Sequence, residues 1–146
     1  MDAENIYEIS LTHGFGPIKF GAAPSEVMAA WGQPLCYEEW MGGNLENFLY
    51  FKGLLVGFRG EIAEQPTEAS QVCMFQLKTV WRLQLWGQEI THATRDELAA
   101  LLQQHQLEFR LIANSILQCT TRELQFKFNE VGVLDEVYFA MANTRE

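Results

Sequence analysis

Apolar and polar residues alternate with period two along much of this chain, and twice the period changes to that of a helix. In Glu123–Phe128 the apolar Leu124, Phe126 and Phe128 fall on one side, and Gln125 and Lys127 on the other. Similar runs predict strands over Phe48–Phe51 and Leu54–Phe58, turning at Lys52-Gly53. Further strands are predicted over Val72–Leu77, Val80–Trp86, Leu107–Ile112, Ile116–Cys119 and Val133–Phe139. Ile6–Leu11 and Ile18–Phe20 read as shorter strands on either side of a turn at 13–17. The helical stretches are equally plain. Val27, Ala30 and Trp31 share a face behind Pro24 and Glu26, and Gly32 and Pro34 supply the stop. Leu98, Leu101 and Leu102 share a face behind Thr94 and Glu97, which have capping-box spacing. Gln103-Gln104-His105-Gln106 contains no such stop, which predicts a longer second helix. Residues 35–47 and 60–71 read as polar loops, the first turning at Gly42-Gly43.

The order helix, then strands, occurs twice about seventy residues apart. Glu26 corresponds to Glu97, Val27 to Leu98 and Phe58 to Phe128. The expectation is an α+β fold built from two tandem helix-plus-antiparallel-sheet units, residues 1–78 and 79–146, forming one continuous layered domain. Two units side by side would make one broad sheet surface, with the face away from the helices open to solvent or to a partner.

Composition narrows the class. The chain has 146 residues, 48% hydrophobic and 20% charged, as in a globular domain. Its net charge is −9, of which −6 lies in the first half and −3 in the second. It has no basic stripe, so nucleic acid is not an expected partner. The acidity fits a basic protein partner, because opposite fields steer association. Cys36, Cys73 and Cys119 are three in number with no Cys-x-x-Cys spacing, which argues against a disulfide framework. The first residues are acidic with no apolar core of a secretory signal, and no run approaches the roughly 18 apolar residues of a membrane helix. A cytoplasmic setting and no membrane partner are expected.

The segment Gly16-Pro17-Ile18-Lys19-Phe20-Gly21, then Pro24-Ser25-Glu26-Val27 and Trp31-Gly32-Gln33-Pro34, has a recognisable form. It resembles the tandem α/β-repeat superfamily of the β-lactamase inhibitory protein and the small outer-membrane assembly lipoprotein, which includes immunity-protein-like members. The resemblance extends over nearly the whole chain in two copies and implies a binding protein. The chain departs from the namesakes in lacking an export signal, in its cysteine pattern and in the missing Gly-x-Pro stop of the second copy. No binding residues transfer.

Motifs for chemistry are sparse. A dinucleotide fingerprint starting at Gly14 would need glycine where Lys19 stands, and Gly16–Gly21 is followed by Ala22-Ala23 instead of Lys-Ser/Thr. His13, His92 and His105 have no ligand-spaced Cys, Asp or Glu partners. Cys36 stands in an acidic setting that disfavours a thiolate. No enzyme activity, cofactor or metal is expected. Aromatic residues with arginines on a sheet face are the better lead, since such residues anchor protein interfaces. Alternation turns Arg59, Arg82, Trp86, Lys127 and Tyr138 away from the core. A second candidate surface is the 35–47 loop with Tyr37, Glu38, Glu39 and Trp40. The functional expectation is a cytoplasmic protein-binding module, monomer or homodimer, of the immunity or inhibitor kind, occluding a toxin or enzyme. A secretion chaperone or assembly adaptor that binds a client segment is the alternative.

Overall fold

Each run of alternating residues becomes a strand because pairing with a neighbour hides both its backbone and its apolar side. The computed structural model describes residues 5–34, 36–39, 47–59 and 68–141. In chain order the elements are β1 (Ile6–Ser10), β2 (Gly14–Phe15), β3 (Ile18–Lys19), α1 (Pro24–Trp31), β4 (Cys36–Glu39), β5 (Asn47–Phe51), β6 (Leu54–Arg59) and β7 (Gln71–Lys78). There follow β8 (Arg82–Leu85), β9 (Gln88–Glu89), α2 (Arg95–Gln104), β10 (Phe109–Ile112), β11 (Ile116–Cys119), β12 (Leu124–Phe128) and β13 (Leu134–Ala140). Gly42-Gly43 and residues 60–67 of the two predicted loops lie outside the described residues.

The α+β expectation is overturned. The described residues hold thirteen strands against two helices of 8 and 10 residues, so the protein is mostly β. The strands form two sheets, and neither belongs to one half of the chain. An eight-stranded sheet runs β10-β11-β12-β13-β7-β6-β5-β4 and is antiparallel throughout. A five-stranded sheet runs β3-β2-β1-β8-β9, with β1 parallel to β8. The reason is one of area. Eight strands about 4.8 Å apart span roughly 34 Å, whereas two helices about 10 Å across cover only part of that width. The smaller sheet helps to close the same apolar face. Its short strands β2 and β9, like β4 in the larger sheet, fall in stretches too brief or too polar to read as strands from alternation.

The core lies between the inner face of the large sheet and a layer made of the small sheet and both helices. From the large sheet it takes Leu49, Val56, Phe75, Leu77, Phe126, Val137 and Phe139. From the covering layer it takes Ile9, Phe15, Val27, Leu83, Leu85, Leu98 and Leu102. Phe75 is the hub. It stacks on Phe139 at 5.2 Å between ring centroids and meets Phe15 at 5.9 Å and Phe20 at 5.6 Å. Offset and tilted pairs of this kind add to the value of the buried area itself. Trp31, at the end of α1, leans on Phe15 and Phe51 and is only half-buried.

The outer face is not wholly polar. Between β6 and β7 the register shifts, so that Gly57 pairs with Met74 and Phe58 with Val72, leaving Cys73 as the extra residue of a bulge. Phe48, Cys73 and Met74 form a small buried apolar group there. Gly57 permits it, since a Cβ at this position would lie 2.5 Å from Met74 Sδ and 3.1 Å from Phe48 Cε1. A corresponding shift occurs at Lys127/Phe128 in β12.

The helix starts follow their sequences. Glu97 Oε1 accepts from the Thr94 N–H at 2.8 Å and Thr94 Oγ1 from the Glu97 N–H at 3.2 Å. In α1 the equivalent Glu26 accepts from the Ala23 N–H at 2.9 Å, and Ala23 offers no side-chain oxygen in return. α2 runs further than α1, as the missing stop predicts, and ends at Gln104. Gln106 takes φ +62°, so the Gln106 N–H reaches Gln103 O at 3.0 Å and the Leu107 N–H reaches Leu102 O at 2.9 Å. This is a Schellman closure with glutamine in the left-handed position that glycine normally fills. Packing of Leu107 against the core holds it there. Replacing Gln106 with Gly should therefore raise stability by about 0.5–1 kcal/mol, the relief of left-handed strain less the added freedom of the unfolded chain. A urea midpoint that fails to rise at unchanged slope would show that Gln106 bears no such strain.

Candidate functional site

The antiparallel register carries a line of side chains across the outer face of the large sheet. Arg110 pairs with Gln118, Gln118 with Gln125, Gln125 with Tyr138, Tyr138 with Gln76, Gln76 with Leu55 and Leu55 with Tyr50. Residues directly opposite on neighbouring strands share a face. A second line, Ile116, Lys127, Glu136 and Lys78, runs beside it. Glu136 is almost wholly buried and accepts from Lys78 Nζ at 2.7 Å and from Gln76 Nε2. That hydrogen bond holds the Lys78 pKa above its ordinary value, against some desolvation. Glu136 thus fixes two outer-face side chains in place.

At the β11–β12 turn this face dips into a cleft of about 490 Å³. Its walls include Arg110, Gln118, Gln125 and Tyr138 from four adjacent strands, with Arg122 and Glu123 from the turn. Arg110 Nη2 donates to Gln118 Oε1 at 3.3 Å, which leaves most of its donors for other uses. Arg122 makes no ion pair or side-chain hydrogen bond among the described residues. Cys119 also borders the cleft, and burial pushes its thiol up to about 11, only partly countered by Arg122. It stays protonated at neutral pH and behaves as a small apolar group. Two guanidinium groups, two primary amides and a phenol can recognise carboxylate, carbonyl and amide groups by hydrogen bonding.

The structure divides the residues proposed from sequence. Tyr138, Lys127 and Arg59 share the outer face of the large sheet, but Lys127 lies at the Lys78 end of β7 and Arg59 at the opposite end, across from Gln71. Arg82 and Trp86 belong to the small sheet and its turn. Trp86, at φ +53°, stacks on His105 with centroids 3.8 Å apart and packs half-buried against the core. The β4 strand places Tyr37 opposite Leu49, Glu38 opposite Phe48 and Glu39 opposite Asn47, where a loop was expected. Trp40 and the side chains of Tyr37, Glu38 and Glu39 lie outside the described residues. Arg110, Gln118 and Arg122 were missed. Alternation turns the first two outward, but only the β10–β11 register reveals them as neighbours. The connecting turn places Ala113 at φ +53° and Asn114 at φ +60° without the glycine that usually marks such a hairpin.

A groove of about 360 Å³ between β9 and α2 gathers Glu89, Thr91, His92 and Glu97. His105 is not part of it, being stacked on Trp86. No group of three His, Cys, Asp or Glu side chains among the described residues is placed to hold a metal ion. No described helix is long and apolar enough to cross a membrane. Comparison with protein-family models, curated proteins and solved structures finds no match to this chain.

Arg82 has a structural task at the rim of this groove. It grips Glu89 in two places, Nη2 to Oε1 at 2.7 Å and Nε to Oε2 at 2.9 Å. With a further hydrogen bond from Thr91, this holds the Glu89 carboxyl down at about 2. A depressed carboxylate stabilises the fold above its ordinary pKa and loses that contribution as pH falls toward the folded value. Arg82→Ala should return the Glu89 pKa most of the way to 4.5 and flatten the acid dependence of stability between there and about 2. A carbon-detected NMR titration of the Glu89 carboxyl reads this directly; an unmoved midpoint would assign the shift to Thr91 instead.

Proposed function

We propose that this chain is a protein-binding module that works by occlusion, as an immunity or inhibitor protein does, and that it performs no chemistry of its own. The observation that carries the reading is the line from Arg110 to Tyr138 and the cleft beneath it. It is a preformed set of donors and acceptors on a rigid sheet, with Glu136 anchoring its neighbours. Sites on regular elements lose little freedom when a partner docks, which favours affinity. The resemblance of the helix-start segment to the superfamily of the β-lactamase inhibitory protein points the same way. In this reading the protein acts in the cytoplasm, where Cys73 and Cys119 remain reduced thiols.

The partner's chemistry follows from the face that meets it. The whole chain carries −9, yet Arg110, Arg122, Lys127 and Lys78 all stand on this side. A partner docking here would offer carboxylates and carbonyl oxygens. The basic toxin or enzyme suggested by net charge would have to meet a different surface.

The test uses the full chain, tagged in its native cell, beside Arg122→Glu and Tyr138→Ala variants with unchanged far-UV circular dichroism. One stoichiometric, folded partner should be retained by the wild type. Each variant should weaken its binding by at least about tenfold, the loss of a single interface anchor. Retention of nothing, or variants that bind as well as the wild type, would overturn the reading. A partner held only while unfolded would replace it with the secretion chaperone or assembly adaptor.

A further inference from the structure

We propose that β10 pairs with β10 of a second copy of this chain, antiparallel about a twofold axis through Phe109. The inference is independent of the occlusion reading. β10 is the last strand of the eight-stranded order, so among the described residues one side of its backbone has no strand beside it. Its hydrogen-bond pattern fixes which groups face that way. The Thr120 N–H donates to Glu108 O at 2.9 Å, so 108/120, 110/118 and 112/116 are the pairs that bond across to β11. The N–H and C=O groups of Phe109 and Leu111 therefore point to the open edge. Two of the exposed residues of the strand are apolar, Leu111 at 44% and Ile112 at 37%. An exposed edge of this character is a template for another strand.

The sequence selects that strand. Leu107-Glu108-Phe109-Arg110-Leu111 is its own complement when read in reverse. With the axis at Phe109, Leu107 stands opposite Leu111 of the second copy and Phe109 opposite Phe109, all on the inner side. On the outer side Glu108 stands opposite Arg110 of the second copy, twice by symmetry. Glu108 has no ion pair among the described residues. Phe109 is also one of the residues whose backbone faces outward, so the pair on the axis exchanges both of its hydrogen bonds. Neighbouring registers fail. Centring on Arg110 puts two guanidinium groups directly opposite each other. Centring on Leu111 sets Arg110 opposite Ile112 and leaves Glu108 beyond the pairing. Exposed charge pairs contribute little affinity, but like charges directly opposite are destabilising, so the charges choose the register and the backbone and apolar groups supply the binding. An isologous interface of this kind closes at two copies.

Sedimentation equilibrium of the full chain across two orders of magnitude in concentration tests this. The mass should rise from 16.7 kDa toward twice that value. Arg110→Glu places like charges at both contacts and should weaken self-association by about tenfold or more. The double exchange Glu108→Arg with Arg110→Glu rebuilds both pairs in the opposite sense and should restore it, which separates a broken interface from a damaged fold. A chain that stays monomeric throughout overturns the proposal. So does an Arg110→Glu variant that associates like the wild type, or a folded double variant that does not recover.

Discussion

The stacking of Phe75 on Phe139 is the contact on which the rest of the structure depends. These two rings sit opposite each other where β7 meets β13, and that pairing is the one place where the four strands β4–β7 join the four strands β10–β13. Phe15 and Phe20 reach down to the same spot from the covering layer, against Phe75 and, for Phe20, Phe139 as well. Both sheets are thus referred to one aromatic group. Its burial is complete, with Phe75 and Phe139 at 0% exposure, so it is also the point at which the interior tolerates least change in volume.

Much of the local structure was legible in the sequence. The alternation in Leu124–Phe128 sorts inward from outward residues as the structure does, and β11 has the predicted limits. The helix starts were legible because capping is a local affair, written in Thr94 and Glu97 themselves. What could not be read is what depends on distant partners. The parallel pairing of β1 with β8 joins residues far apart in sequence, and no pattern within either strand specifies it. The short β2, β4 and β9 exist because longer strands beside them need partners. Without them the chain reads as two helix-covered sheets; with them it is a mostly β structure with two sheets across both halves.

The candidate site shows the same limit. Outwardness was readable at Tyr138 and Lys127 but neighbourhood was not, since residues lie side by side only once strand order and register are known. Arg82 points away from its strand's buried side yet is occupied with Glu89, and Trp86, in the turn past β8, stacks on His105 and packs against the core instead of standing clear of it. Arg122, in a turn, follows no alternation, and only the fold brings it to the same cleft as Arg110, Gln118, Gln125 and Tyr138.

The parallel β1–β8 pair bears on how the chain is made. β1 leaves the ribosome well before its parallel neighbour, which begins only at Arg82. Until then β1 has only the short β2 beside it, and the inner face of β5–β7 lacks much of its cover. Such distant pairings impose a late, slow step in assembly. The first half of the chain must wait, partly exposed, for synthesis of the second. Closure of the small sheet around β1 therefore cannot precede synthesis of β8.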